Sequence, residues 1–316
     1  MTTAARTLMG AVAIVLAATA TRAAEWTPPG PISMLIGFRA GGGADTQARL
    51  IAQELEARHG WTIQPQQVTG KGGLNLAAAL KDAPVDGTVI GMVVTETLGY
   101  NMAAAGAGLH PDDFTGITTT AGFQMGVVAR RVTGWATLED AIAAAKGGAA
   151  LRFGVMSPRL ADLAYLLGKA QGVTFNIVEM RGGKAVMDGI NAGDLDLGFV
   201  AGIQAASVAA GDLVNLASAL SVPLNQTPEA PTFATLGVDF NADGQFMFVG
   251  PAGMSTAARS AMSTAIAEII SDPQTGAGAL IASAFGGPSI LAGDALQAQM
   301  AADYDAAGAL LAAASE

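Results

Sequence analysis

The fold follows from one stretch, MLIGFRAGGGAD at residues 34–45. Apolar residues alternate from Ile32 to Phe38, which predicts a strand nearly apolar on both faces, as in a buried parallel sheet. After the glycines the period changes, and apolar residues at 44, 48, 51, 52 and 55 predict an amphipathic helix. The N–H groups at the start of that helix make the glycine loop a candidate anion site. A glycine run at such a corner also often serves only to turn the chain, and both interpretations stay open.

Length and charge narrow the function classes. The chain has 316 residues, which exceeds the usual size of a single core, so we expect two domains. Its formal charge of −10 argues against nucleic acid and anionic membrane surfaces as partners. An acidic protein that binds an anion must use local, oriented donors such as backbone amides.

The first 24 residues are typical of a secretory signal peptide. Arg6 supplies the positive start, an apolar run covers residues 8–18, and small residues follow, with cleavage expected after Ala20, Ala23 or Ala24. No later segment reaches about 18 uninterrupted apolar residues. The chain has no cysteine, which excludes disulfides and a lipid-modified cysteine. We therefore expect an exported, periplasmic protein without a lipid anchor.

The strand, glycine loop and helix recur immediately downstream. Residues 61–68 predict a second strand, residues 69–75 a second glycine-rich loop, and residues 76–80 a helix. Two such loops at the same end of a parallel sheet would face one crevice, where open α/β folds bind ligands. A third strand at 89–94 ends in Thr95-Glu96-Thr97, whose hydroxyls either contact a ligand or cap the next helix.

The second half repeats the alternation of strands and helices. Strands are predicted at 126–129, 151–155, 175–178, 195–200 and 214–219, with helices between several of them. Thr137 is expected to cap one of these helices. The pattern predicts a second parallel sheet. A strand at 245–250 and two helices at 255–270 and 294–313 return the chain to the first domain, so that it crosses near Val127 and Phe246.

Six short motifs follow one another along the chain, at residues 37–45, 70–75, 110–115, 181–185 with 193–196, 230–234 and 250–254. Together and in this order they resemble the solute receptors of tripartite tricarboxylate transporters, the Bug-type periplasmic binding proteins. The resemblance covers the chain beyond the signal segment. It implies an α/β fold of the type II periplasmic-binding class, with two lobes joined by two crossing segments around a ligand cleft. Lobe 1 would comprise residues 25–126 and 246–316, and lobe 2 residues 127–245.

The resemblance also implies a ligand site for a small carboxylate. In the first lobe, two glycine loops and a strand end would contribute Phe38, Arg39, Ala40, Gly41, Gly42, Gly43, Gly72, Gly73, Asn75, Thr95 and Thr97. The second lobe would contribute Ser157 and the turn Arg181, Gly182 and Gly183. No cofactor, metal or catalytic residue is implied. The expected partners are an organic acid and the permease subunits of the transporter, and we expect a monomer.

Two charged residues of the first loop have open roles. Arg39 stands where the family generally has a small or apolar residue, and it either points into the cleft as a carboxylate clamp or outward as a solvated charge. Asp45 either orients the loop, accepts an amine of an amino-acid ligand, or complements the helix dipole. The loop after Val155 and the missing histidine of the following helix leave the second-lobe contacts and the substrate open.

Other function classes remain as alternatives. His59 and His110 are the two histidines, and the chain carries no HExxH or GxSxG motif, which disfavours a secreted hydrolase. A sensory receptor that reports an organic acid to a membrane kinase would have the same sequence features as a transport receptor.

Overall fold

A computed structural model of the protein describes residues 26–106 and 108–315. The predicted signal peptide, residues 1–24, lies outside these described residues. Within them, no helix combines the length and the apolar character needed to cross a membrane.

Ten strands of the described chain form two five-stranded sheets. In chain order they are β1 (Ile32–Ile36), β2 (Ile63–Gln67), β3 (Val89–Val94), β4 (Phe114–Gly122), β5 (Gly126–Arg130), β6 (Arg152–Val155), β7 (Asn176–Glu179), β8 (Leu197–Val200), β9 (Leu213–Ser218) and β10 (Gln245–Pro251). The first sheet has the order β2-β1-β3-β10-β4, and the second has the order β7-β6-β8-β5-β9. The chain therefore leaves the first sheet after β4 and returns to it with β10.

Ten α-helices of the described chain cover these sheets. They are α1 (Gly43–His59), α2 (Leu74–Lys81), α3 (Met102–Ala105), α4 (Leu138–Lys146), α5 (Pro158–Gln171), α6 (Gly183–Ala192), α7 (Ala205–Ala210), α8 (Thr256–Ser271), α9 (Gly276–Phe285) and α10 (Gly293–Ser315). The predicted cap of α4 is confirmed, because Thr137 and Asp140 form a reciprocal capping box. The strand–glycine loop–helix unit of residues 32–59 is confirmed too.

The prediction of two parallel sheets is wrong in one respect. β1 runs parallel to β2 and β3, and β6 runs parallel to β7 and β8. In contrast, β10 is antiparallel to both of its neighbours, and so is β5. Each reversed strand is the first strand after the chain crosses from the other sheet. Both sheets are therefore mixed.

Four of these strands and α-helices had no residue bounds predicted from the sequence, although a helix after Thr97 was expected. β4 reads FTGITTTAG, and its threonines at 118, 119 and 120 are fully buried, so its polar composition concealed a core strand. The helices α3, α7 and α9 are short and rich in alanine, glycine and other small residues, which leaves little amphipathic contrast.

Aromatic side chains join the cores where the chain crosses. The ring of Phe246 lies 5.2 Å from that of Phe123 and 5.0 Å from that of Phe285. The two crossing segments are themselves paired, because the Phe123 amide donates to the Gly244 carbonyl at 2.9 Å. The crossing region is therefore a packed unit beside the space between the sheets.

Candidate ligand-binding site

The first glycine loop joins β1 to the start of α1. Gly42 is the N-cap residue and has no side chain to cap the helix, so the first-turn N–H groups lack intrahelical partners. The buried carboxylate of Asp45 accepts hydrogen bonds from the Gly41 amide (2.9 Å), Arg49 Nε (2.8 Å) and Gln67 Nε2 (2.7 Å). Asp45 therefore ties the loop to α1 and β2, which favours its loop-orienting role.

A second helix start faces the first from the other sheet. Gly182 is the N-cap residue of α6, again without a side chain, and its φ of +97° requires a glycine. A Cβ placed on Gly182 would lie 3.7 Å from the Arg39 backbone nitrogen, and one on Gly42 would lie 3.9 Å from Lys184 Cβ. The two glycine loops are therefore in near contact across the space between the sheets.

These two helix starts border one small cavity, which we name the central cavity, of about 50 Å³. Its lining comprises Phe38, Arg39, Gly42, Gly43, Ala44, Val94, Glu96, Phe123, Met125, Met156, Leu160, Gly182, Gly183, Lys184, Ala201, Ile203 and Phe246. Arg39 is exposed, and it lies at the edge of the cavity. Lys184, in the first turn of α6, forms an ion pair with Asp188. The positive ends of two helix dipoles therefore meet at one point.

The second glycine loop borders a neighbouring space of about 680 Å³, the loop cavity. It is lined by residues 69–75, 156–158 and 179–182 with Gly37, Phe38, Asn101, Ala104 and Ala105. Residues 70–73 all have positive φ, and Thr97 Oγ1 donates to the Gly72 carbonyl at 2.8 Å. A Cβ on Gly73 would lie 2.7 Å from that Oγ1, so this turn requires glycine. The loop cavity shares Phe38, Met156 and Gly182 with the central cavity.

A third space lies beside the crossing segments. This crossing cavity measures about 600 Å³ and is lined by Thr95, Glu96, Tyr100, residues 122–124, Arg159, residues 220–222, 239–241 and 243–245, and Gln299, Asp303, Ala306, Ala307 and Leu310 of α10. Tyr100 donates a hydrogen bond to Asp162 of α5 across the two sheets. Burial and this bond raise the pKa of the Tyr100 hydroxyl well above its usual value.

The predicted site residues divide among these spaces. The central cavity takes Phe38, Arg39, Gly42, Gly43, Gly182 and Gly183, and the loop cavity takes Gly72, Gly73, Asn75, Ser157 and Arg181 together with Phe38 and Gly182. Thr95 borders the crossing cavity. Ala40, Gly41, Asp45 and Thr97 border none of the three.

The two strand-end threonines have structural partners. Thr95 Oγ1 accepts from the Gln245 amide at 3.1 Å, and Thr97 donates to the second glycine loop. Neither hydroxyl caps a helix, so the capping interpretation is wrong. Ser157 does cap one, because its Oγ accepts from the Leu160 amide at 3.3 Å at the start of α5. These contacts tie both sheets to the loops around the cavities.

Several lining residues were missed from the sequence. Glu96, Phe123, Met125, Met156, Lys184 and Phe246 border the central cavity without having been predicted there. Of these, Glu96 could have been found from the sequence, because an acidic residue directly after an apolar strand is a candidate site residue. The histidines lie elsewhere, His59 against Trp61 and His110 in a capping turn. Among the residues described, no group of three or more His, Asp or Glu side chains could hold a metal.

Comparison with known proteins gives relatives in sequence and in structure. No family model matches the sequence. The chain is 25% identical over 279 residues to the UPF0065 protein in the TAR-I ttuE-ttuC' intergenic region of Agrobacterium vitis. That alignment covers 83% of this chain and 79% of the relative. It is similar to the structure of the periplasmic binding protein BugD, with a TM-score of 0.78, 19% identity, and coverage of 92% of this chain and 99% of that one. The chain has the fold of Bug-type periplasmic binding proteins.

A second solved structure adds a bound ligand. MatC from Rhodopseudomonas palustris, with bound malate, is similar with a TM-score of 0.77 and 18% identity, and the match covers 90% of this chain and 99% of that one. The predicted resemblance and fold class are therefore confirmed.

Proposed function

We propose that this protein is an exported receptor that binds a small carboxylate between its two lobes. One observation carries the proposal: the starts of α1 and α6, which belong to different sheets, border the same cavity without side-chain caps. Unpaired N–H groups and the positive ends of helix dipoles favour an anion at such a point. The malate in the similar MatC structure supports a di- or tricarboxylate or related organic acid as the ligand class.

Local donors explain how an acidic protein binds an acid. With a formal charge of −10, the long-range field repels an anionic ligand. At short range, the amides of the two loops and the side chains of Arg39 and Lys184 border the cavity. Oriented dipoles in a confined space act strongly because they need no reorganisation when the anion arrives.

We infer that the lobes are residues 25–126 with 246–316, and residues 127–245. The central cavity of about 50 Å³ has room for one or two water molecules, whereas ligand sites usually measure about 300–1,000 Å³. An acid therefore enters only after the lobes separate, and hinge motion around two crossing segments is a common route for such opening. The paired segments at Phe123 and Gly244 are the hinge in this proposal.

The proposed destination is a membrane permease of the tripartite tricarboxylate transporter class, to which the monomeric receptor delivers its ligand in the periplasm without chemical change. The similarity to the periplasmic binding protein BugD supports the location. A sensory receptor that reports the acid to a membrane kinase is the alternative. Neighbouring genes distinguish them, since a permease pair favours uptake and a sensor kinase favours signalling.

A thermal-shift screen of organic acids, with the chain lacking residues 1–24, tests the proposal. A ligand that binds only the folded protein raises Tm by mass action, about 2.7 kcal/mol of stabilisation at a hundredfold excess over Kd. We expect a shift with at least one mono-, di- or tricarboxylate and none with the matching amides. Absence of any shift across the acids would refute a carboxylate receptor.

The Gly42→Asp variant tests whether the first-turn amides of α1 bind the ligand. Gly42 has φ −80°, which a side chain tolerates, although its Cβ would lie a tight 3.2 Å from the Arg39 carbonyl. A carboxylate at an N-cap accepts from the first-turn amides and so occupies the anion site itself. We expect the variant to fold and to lose the ligand-induced shift, whereas uncharged Gly42→Asn keeps part of it. Equal shifts in all three proteins would contradict the amide site.

A further inference from the structure

Glu96 is a buried acid for which the fold supplies no hydrogen-bond donor at one oxygen. It follows β3 directly, is 6% exposed, and borders both the central and the crossing cavity. Its Oε2 has no hydrogen-bond partner among the described residues. An unsatisfied buried acceptor lowers the stability of the fold, and a charged one lowers it more. A hydrogen-bond donor at Oε2 would remove that cost.

The neighbours of Glu96 leave that acceptor free. Asn101 Nδ2 lies 3.5 Å from Oε1, and Arg159 Nη1 lies 3.9 Å from Oε2, which is an ion pair beyond hydrogen-bond distance. The guanidinium of Arg159 donates instead to the carbonyls of Asn241 (2.8 Å) and Asp243 (2.9 Å). Arg159 therefore offsets the charge of the carboxylate without using its lone pairs.

We propose that Glu96 accepts a hydrogen bond from the ligand and selects acids that carry a donor group. The inference rests on the proposed carboxylate receptor, because the helix starts and Glu96 border the same small cavity. Glu96 and the two helix starts line the same cavity, so one small ligand can contact both when its carboxylate and its donor group are on neighbouring atoms. The ligand class in this proposal is therefore a 2-hydroxy or 2-amino acid.

Exclusion of the unsubstituted acid follows from the same geometry. A ligand without a donor leaves Oε2 desolvated and unpaired, and sites built to hydrogen-bond a ligand group discriminate strongly against analogues that lack it. A carboxylate placed there would also face a like charge, which Arg159 only partly offsets. Glu96 thus acts as a specificity residue against plain dicarboxylates.

Three acids of equal length test the inference: succinate, malate and aspartate, which differ only in a hydrogen, hydroxyl or ammonium at C2. Isothermal titration calorimetry measures Kd for each with the wild-type chain, with Glu96→Gln and with Glu229→Gln. Glu229 is exposed and borders none of the three cavities, so its variant makes the same charge change at a distance. If none of the three binds, the five-carbon set glutarate, 2-hydroxyglutarate and glutamate replaces them.

We expect malate or aspartate to bind wild-type protein at least about tenfold more tightly than succinate, which corresponds to about 1.4 kcal/mol. Glu96→Gln should reduce that ratio to about threefold or less, and Glu229→Gln should leave it unchanged. A preference for malate alone identifies the donor as a hydroxyl, and one for aspartate alone identifies an ammonium.

Three results would overturn the inference while the proposed receptor stands. Two come from the calorimetry: succinate binding as tightly as the other acids, or a Glu96→Gln variant that weakens all three equally. The latter marks a purely structural role. Binding of other carboxylates in the screen, with none of these six acids bound, would also overturn it. Failure of every acid in the screen would instead count against the receptor itself.

Discussion

Replacement of Asp45 by Asn tests whether this residue positions the first loop. Its Oδ1 accepts from Arg49 and Gln67, and its Oδ2 accepts from the Gly41 amide. In Asp45→Asn, an oxygen at the Oδ1 position keeps the first two bonds, and the new NH₂ group then faces the Gly41 N–H. The loop loses its tie to α1, and the opposite rotamer breaks the other pair of bonds instead.

The magnitude follows from these bonds. A hydrogen bond to a charged group stabilises a fold by about 1.5–3 kcal/mol, and a buried donor left unpaired costs about 1–3 kcal/mol. The Arg49 side chain is 41% exposed, so its ion pair is discounted to about 0.5 kcal/mol. We expect Asp45→Asn to lower the free energy of unfolding by about 2–4 kcal/mol.

Urea unfolding at constant m-value measures the stability loss, and titration with the best acid from the screen measures Kd. We expect Kd to rise at least about tenfold, or 1.4 kcal/mol, although Asp45 borders none of the three cavities described above. Asp305→Asn on α10 is the exposed control and should stay within about 0.5 kcal/mol of wild type. Unchanged stability, with affinity lost only for amino acids, would show that Asp45 binds a ligand amine instead.

Three further substitutions test the electrostatics and packing. The Arg152 side chain hydrogen-bonds Asp196 and lowers the pKa of that carboxyl. The ion pair therefore stabilises the fold above the unfolded pKa of about 3.9, and this stabilisation is lost as pH falls. Asp196→Asn should lower the free energy of unfolding by about 1–2 kcal/mol at pH 7 and by little near pH 3. Burial raises the pKa of Asp303, because the folded state disfavours the charged carboxylate. The neutral acid is favoured below about pH 3.9, and its contribution to stability is lost as pH rises and the buried group becomes charged. Asp303→Asn, which stays neutral, should therefore raise Tm at pH 7 and change it little at pH 3. Gly202→Ala, at φ +131° with its Cβ 2.5 Å from a Phe285 ring carbon, should cost about 3–5 kcal/mol in urea unfolding.

Each of the three has an outcome that contradicts its reasoning. An Asp196→Asn effect of equal size at pH 3 and pH 7 would mean that packing, not charge, decides it. A lower Tm of Asp303→Asn at pH 7 would show that the charged carboxylate is stabilising. Gly211→Ala, where φ is +82° and no atom lies within 4 Å of the Cβ, is the control for Gly202→Ala. An equal loss in both variants would attribute the effect to backbone strain alone.

The fold predictions that the structure confirms came from local sequence patterns. The change from alternation to a helical period at residues 32–59 marks β1 and α1, and a threonine three residues before an aspartate marks the cap of α4. Strand direction was not readable, because β5 and β10 are reversed through chain crossings and not through their own residues. The buried threonines of β4 likewise acquire their role only from the strands around them.

The parts of the candidate site that consist of backbone groups could be predicted from the sequence. Glycine loops at 41–43 and 181–183 are visible in the sequence, and the structure brings them together. The roles of Thr95, Thr97 and Glu96 depend on contacts with residues far along the chain, such as Gln245 and Arg159. Such side chains could not be assigned from a single sequence, since burial and partners decide their chemistry.

In the proposed receptor, amides from two helix starts bind one carboxylate. Amide ¹H–¹⁵N spectra of the labelled chain, recorded during titration with the best acid from the screen, show whether they do. We expect the amides of Gly43, Ala44, Gly183 and Lys184 to shift together and to saturate with one Kd. Saturable binding that leaves these four amides unshifted while others move would contradict this binding mode.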